Sequence, residues 1–208
     1  MRGLLVKVMK IKVPTKLSFL ILGAEGIIFS LVLISFLFFC SPVQSSYTDF
    51  NLASGKVSVS ILPARLNIPK IKVNANLESV GLTPDGAVGV AKGQSSAAWF
   101  SVGPRPGEIG NAVITGHYGV WKNGVPTVFN NLYKLRQGDK VYVKDKKGVT
   151  ITFVVRRSKT YGQNDDVSEV FIASDDKSHL NLITCQGAWN KTTKSYPKRL
   201  VVFTDKLE

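Results

Sequence analysis

The chain has 208 residues, with 27 Lys and Arg against 14 Asp and Glu for a net charge of +13, and two cysteines. With one membrane segment set aside, about 150 residues remain, a single-domain length. A domain of that size buries ~70% of its unfolded-chain surface, so it needs neither disulfide nor metal to hold together. The charge bears on association rather than on fold; for an exported domain it points to anionic lipid and wall polymers rather than nucleic acid, with an ordinary solvated face as the equal alternative.

Residues 1–16 form a basic tail, with Arg2, Lys7, Lys10, Lys12 and Lys16 and no acidic residue. Residues 17–40, LSFLILGAEGIIFSLVLISFLFFC, extend ~36 Å as a helix at ~1.5 Å per residue and cover a ~30 Å hydrocarbon core. The one charge in the run, Glu25, belongs near an interface. The excess of positive charge before the span marks the cytoplasmic side. A cleaved secretory signal ending at Ser45 fits less well, because the apolar run exceeds the roughly 7 to 15 residues of such signals. Phe38 and Phe39 are too bulky for lipid anchoring at Cys40. Residues 41–58, SPVQSSYTDFNLASGKVS, read as a linker. The expectation is a single-pass protein of the cell membrane, its N-terminus cytoplasmic and residues 59–208 folded outside.

From Val59 onward, β-rich runs alternate with turn signals: 64–71, 75–80, 112–115, 140–143, 149–157, 180–184 and 200–203. Lys140–Lys144 and Val149–Val155 flank the turn Asp145-Lys146-Lys147-Gly148 and predict a hairpin. Helical pattern is confined to short stretches at 127–135 and 165–173, with no βαβ rhythm. These signals predict a mainly β fold: an antiparallel sheet forming a β-barrel with short helices in its loops.

Cys185 is the only cysteine beyond Cys40 and ends the apolar run Leu180-Asn181-Leu182-Ile183-Thr184. At a strand end beside Gln186-Gly187, a thiol can be exposed for covalent chemistry, although free cysteines are as often buried packing residues. His179 lies six residues before Cys185, ~20 Å away along one strand, and cannot reach it. His117 ends another apolar run between Gly116 and Gly119 and could exchange a proton there; a surface or packing role is the plainer alternative. Arg199 opens the last strand, and antiparallel pairing would bring it across from Cys185, either as a donor to an oxyanion or as a surface arginine lying over apolar side chains. Lys198 would point to the face opposite Arg199.

Taken together these motifs resemble one family. Pro106–His117 (PGEIGNAVITGH), Phe129–Asp139 (FNNLYKLRQGD), Leu182-Ile183-Thr184-Cys185 and Arg199 resemble, in order, the sortase segments around the catalytic His, the turn that follows, the TLxTC nucleophile and the arginine. The resemblance covers residues 63–206. Asn181 stands where the signature's first Thr is expected.

The resemblance implies a closed sortase-type β-barrel of about eight strands and a cysteine transpeptidase without cofactor. Cys185 would attack an LPxTG-like sorting signal between Thr and Gly to give a thioacyl enzyme. His117 would serve as general acid and base, and Arg199 would steady substrate and oxyanion; Thr184, beside the nucleophile, is a weaker candidate for substrate positioning, an ordinary strand position being the equal alternative. An amine of a peptidoglycan precursor would then take the acyl group, anchoring a surface protein. The short 186–198 loop and the missing Asp-Pro-aromatic lid point to a housekeeping or class E-like enzyme rather than a pilin polymerase. No acidic cluster matches a calcium site, so calcium independence is expected. Chain order and spacing fit neither NlpC/P60-like peptidases nor L,D-transpeptidases. The contrasting class is a tethered β-domain that binds anionic wall polymer, with Cys185 merely buried.

Overall fold

In the computed structural model, which describes residues 59–121 and 124–208, eight strands close into a barrel in the order β1-β2-β3-β4-β7-β8-β6-β5. They are β1 (Pro63–Ile68), β2 (Val73–Val80), β3 (Ala97–Phe100), β4 (Gly110–Gly116), β5 (Lys140–Asp145), β6 (Thr150–Tyr161), β7 (Ser178–Gln186) and β8 (Lys198–Lys206). The expected tail, membrane span and linker lie outside the described residues.

Several boundaries move for local reasons. The run expected as one strand over 64–71 stops at Ile68, because Pro69 has no N–H for a ladder and opens a 3₁₀ turn, Pro69–Ile71. Lys72, at φ 56°, then reverses the chain into β2. The β5–β6 hairpin forms as expected. Asp145 Oδ1 accepts the N–H groups of Lys147 and Val149 at 2.8 and 2.9 Å, and Gly148 takes φ 94°. The helical stretches shrink to a 3₁₀ turn at Leu132–Lys134 and a four-residue helix α1, Ser168–Phe171.

One expectation needs correction: the barrel is not antiparallel throughout. Strands β2 and β3 pair in parallel, and so do β4 and β7. The second pairing is reached by a crossover that contains the whole β5–β6 hairpin, so it leaves no helical rhythm in the sequence. Strand β3, only four residues long, carries no alternation that would reveal it.

Alternate side chains of β4, β7 and β8 go to two different cores. Ala112, Ile114, Leu180, Leu182, Leu200 and Val202 fill the barrel interior. Val113, Ile183, Val201 and Phe203 face outward and are covered by Ala87 and Val88 on one side and Val167 and Val170 on the other. Burial on both faces explains why these strands read as continuous apolar runs.

The outer cover is pinned by polar groups. Asn111 Nδ2 donates to Glu169 O at 2.9 Å, and Asn181 Nδ2 donates to Val170 O at 2.7 Å. Asn181 thus departs from the family signature while holding α1 to the sheet. The Glu169 carboxylate accepts from Lys159 Nζ and Tyr161 Oη, both at 2.7 Å, and from Arg157, whose guanidinium lies 3.9 Å over the Phe203 ring. These bonds, the lysine's foremost, draw the Glu169 pKa from 4.5 to about 2.

Because this pKa is depressed in the folded protein, its contribution to stability is complete above the ordinary carboxylate range and is lost as pH falls toward 2. Thermal unfolding followed from pH 6 to 2 should show a falling midpoint. Glu169→Gln should lower the midpoint at pH 6 and flatten the decline below pH 5.

Candidate active site

The site is assembled by strand register. In the parallel β4–β7 pair, Gly110 stands opposite Ser178 and Thr115 opposite Ile183, an offset of 68 positions. Thr184 Oγ1 donates to Gly116 O at 2.7 Å, also 68 apart, and locks that offset at the end of the pairing. Continued one residue further, it sets His117 alongside Cys185 on the neighbouring strand, ~4.8 Å across the sheet. On the other side of β7, Cys185 is directly paired with Arg199 of the antiparallel β8. Three consecutive strands therefore deliver His117, Cys185 and Arg199 in a row. Strand alternation puts all three on the outer face of the barrel, beyond the edge of the cover that buries Val113, Ile183 and Val201.

Gly116 is required for this approach. Its Cβ position is occupied by the Phe129 ring, which packs flush against the end of β4. The backbone after it is tied down: Phe129 N–H donates to His117 O at 3.0 Å, and the Thr127 hydroxyl lies 2.9 Å from the carbonyls of both His117 and Gly119.

The imidazole itself is oriented by a backbone acceptor. His117 Nε2 lies 2.8 Å from Ala91 O, and because a carbonyl can only accept, the proton sits on Nε2. Nδ1 is left as the ring nitrogen that can exchange a proton with a reacting group. The ring edge packs on Trp121 at 5.9 Å between centroids. Thr115, two residues earlier on the same face, donates to Gly89 O at 3.0 Å and tethers the segment that carries Ala91.

Arg199 is 6% exposed, and its Nη1 donates to Tyr196 O and Lys198 O at 2.8 and 2.9 Å. The guanidinium is thus held in place by its own strand end. Burial pushes the Cys185 thiol pKa up, and the Arg199 charge offsets part of that rise. The net rise disfavours the thiolate, the form that acts as nucleophile.

All three residues line a groove of about 360 Å³ whose remaining walls are largely aromatic. Tyr118 meets Tyr196 edge to face at 5.4 Å, and Trp189 meets Tyr196 at 5.1 Å. Sequence reasoning did not single out Trp121, Trp189, Tyr118 or Tyr196. The available signal was local: each lies within eleven residues of His117 or Cys185, in short loops.

The other two candidates stand apart. Thr184 is buried on the opposite face from Cys185, its hydroxyl engaged with Gly116 O, and acts on the site through the register. His179 sits near the far end of β7, as the spacing argument requires, with Asp205 at 2.8 Å from Nδ1 and Asp175 at 2.7 Å from Nε2. Lys198 is paired with Gln186 and is exposed, off the Arg199 face.

The arrangement sets a thiol, an imidazole and a guanidinium in one groove, groups whose chemistry is suited to attack on a carbonyl and to stabilising an oxyanion. A family model described as "Sortase domain" matches residues 66–207, most of the chain. The chain belongs to the sortase family. Solved sortases share the fold at low identity. Sortase A from Corynebacterium diphtheriae has a TM-score of 0.56 and 20% identity over 72% of this chain. Sortase C-1 from Actinomyces oris has 0.54 and 21% over 71%, with 76% of that chain covered. The sortase D5 transpeptidase from Clostridium perfringens has 0.52 and 21% over 70%, with 79% of that chain covered. The chain spans 62% of the length of the Corynebacterium protein. By sequence it matches no curated protein.

Two outcomes follow from the site geometry. Alkylation of Cys185 by iodoacetamide should have a pH midpoint above that of an ordinary thiol, and Arg199→Gln should push the midpoint higher by removing the cation that favours thiolate. Gly116→Ala, which forces the Phe129 ring out of place, should lower the unfolding midpoint and alter the Cys185 alkylation rate in the same protein. An unchanged rate and midpoint would contradict the packing role given to Gly116.

Proposed function

We propose that this sortase-family protein is a membrane-anchored cysteine transpeptidase that cleaves an LPxTG-like sorting signal between Thr and Gly and passes the acyl group to an amine of a cell-wall precursor. The observation that carries the reading is the shared β4–β7–β8 register, which lines up His117, Cys185 and Arg199 on one solvent-facing edge of the sheet.

In this reading Cys185 Sγ attacks the Thr carbonyl carbon as its proton passes to His117. The developing oxyanion lies against the Arg199 guanidinium, which supplies charge-assisted donors at a fixed position. Collapse of the tetrahedral species breaks the Thr–Gly bond, and the leaving amine takes its proton from His117. The thioester remains on Cys185. An incoming amine attacks the thioester, gives its proton to His117, and releases Cys185 as the new amide forms. Arg199 stabilises the second tetrahedral species as it did the first. No oxidant, metal or cofactor enters the balance, and activity is expected to be independent of calcium.

With its pKa raised by burial, the Cys185 thiol passes its proton to His117 as it attacks in this reading. Thr184 and Thr115 serve as positioning residues, the first through the register and the second through the Ala91 segment. We assign the protein to a housekeeping or class E-like role on the strength of the short 186–198 loop. The basic tail and the 24-residue apolar segment 17–40 support an anchor with the catalytic domain outside the cell.

The test is direct. The full chain in detergent, incubated with an LPxTG-type peptide and a glycine-based amine, should yield peptide joined to amine, and mass spectrometry should find a thioacyl adduct on Cys185. Cys185→Ala should lose both, and His117→Ala and Arg199→Gln should each lower kcat/KM by at least about 100-fold. Product formation that survives in Cys185→Ala would overturn the mechanism. Absence of product and adduct with LPxTG and LAxTG peptides would favour a wall-binding domain.

A further inference from the structure

The two loops that frame the groove carry charge of one sign. Residues 117–127 and 186–199 contain Lys122, Lys191, Lys194, Lys198 and Arg199 and no Asp or Glu. Lys122 lies outside the described residues, so the argument rests on the second loop. Of its lysines, Lys194 lines the groove together with Cys185 and Arg199.

The loop is built to present this side chain. Asn190 and Ser195 exchange backbone hydrogen bonds at 2.9 and 3.3 Å, closing a tight reversal. Asn190 Oδ1 accepts the N–H groups of Thr192 and Thr193 at 2.9 and 3.0 Å, and the hydroxyls of Thr193 and Ser195 are 2.9 Å apart. At the end of this turn Lys194 adopts φ 49°, in the left-handed region where glycine is the unstrained choice. A glycine there would complete the same turn and leave the mouth of the groove without an ammonium group.

Among the described residues, no acidic side chain lines the groove with Lys194. Of the acidic residues in the segment between β6 and β7, Asp165 accepts Gly162 N–H, Asp166 binds Ser168, Glu169 binds Arg157 and Lys159, and Asp175 binds His179. The neighbouring walls are Trp189, Tyr196 and Tyr118, and charges acting across such low-dielectric surfaces reach further than across open solvent.

We propose that Lys194 is a specificity-determining residue that makes the groove select sorting signals carrying an acidic side chain at the variable position beside the scissile bond. The proposal deepens the transpeptidase reading and rests on it. The charge favours the acyl donor rather than the acceptor, because an incoming ammonium is repelled by the same cations. Because Lys194 and Cys185 line one groove, a carboxylate one residue from the scissile Thr would feel the Lys194 ammonium while the carbonyl is held at Cys185. The result is a substrate preference set by electrostatics at the rim, with the chemistry unchanged.

Two measurements on the full chain test this together. The first compares kcat/KM for three peptides that differ only in Glu, Gln or Lys at the variable position, at low and high ionic strength, in wild type, Lys194→Gln and Lys146→Gln. The last lies on the β5–β6 turn at the opposite end of the barrel. The expected order is Glu, then Gln, then Lys, with about tenfold between the extremes at low salt. The preference should shrink as salt screens it, collapse in Lys194→Gln, and persist in Lys146→Gln.

The second measures how fast Cys185 reacts with methanethiosulfonates bearing a sulfonate, no charge, or a trimethylammonium group, each normalised to a cysteine in an unstructured peptide. The anionic reagent should be fastest, and Lys194→Gln should narrow the spread. Turnover of all three peptides at equal rates, or a Glu preference untouched by Lys194→Gln, would overturn the proposal and leave the transpeptidase reading standing. Charge-selective labelling with no turnover of any peptide would overturn the transpeptidase reading, and with it the assignment of the charge to a peptide.

Discussion

The structure depends on one parallel pairing, that of β4 with β7. Every other feature of the site inherits its position from this register. A slip of one residue would turn the His117 side chain into the barrel and leave Cys185 beside Gly116 or Tyr118. The register is held from both faces. Inside, Ala112, Ile114, Leu180 and Leu182 interlock; outside, Val113 and Ile183 are clamped under the cover pinned by Asn111 and Asn181. Thr184, reaching across to Gly116 O, fixes the last step before the chemistry begins.

A site on the outer face of a barrel solves a conflict between stability and access. The interior is filled with apolar side chains and has no room for a substrate, whereas the outer face of the same strands is buried for most of its length and uncovered only at one end. His117, Cys185 and Arg199 stand where that cover stops. They gain rigid strand backbones and partial burial, and the burial has electrostatic consequences: it raises the thiol pKa, and the Arg199 charge offsets part of that rise. The His117 ring is steered by the Ala91 carbonyl rather than by a carboxylate. Among the described residues, none that lines the groove is acidic.

Much of this was legible in the sequence, and the failures have physical causes. The β5–β6 hairpin announced itself because alternation and turn chemistry are local. His117, Cys185 and Arg199 could be singled out because each ends or begins an apolar strand, and the elimination of His179 needed only the rise of a strand. What could not be read was pairing at long range. The crossover that sets β4 parallel to β7 contains an entire hairpin, and no local pattern specifies it. Strand β3 is four residues of Ala-Ala-Trp-Phe whose assignment depends on its partners. The Pro69 break was readable and outweighed by the apolar run around it. The aromatic walls were overlooked because loop residues follow no period, so Trp121, Trp189 and Tyr196 become a surface only when the strand ends converge. Asn181 looked like a defect in a motif and is instead an anchor for the cover.

The register itself can be tested without any substrate. His117→Cys places a second thiol beside Cys185 on the neighbouring strand, within the 4.4–6.8 Å Cα separation that a disulfide bridges, whereas Asn111→Cys puts it six residues away on the same face. Under mild oxidation the account predicts a 117–185 disulfide, mapped by peptide mass spectrometry, and none between 111 and 185. Failure of the 117–185 bond to form in a folded protein, or equal cross-linking from both positions, would contradict the shared register on which the active-site assignment stands.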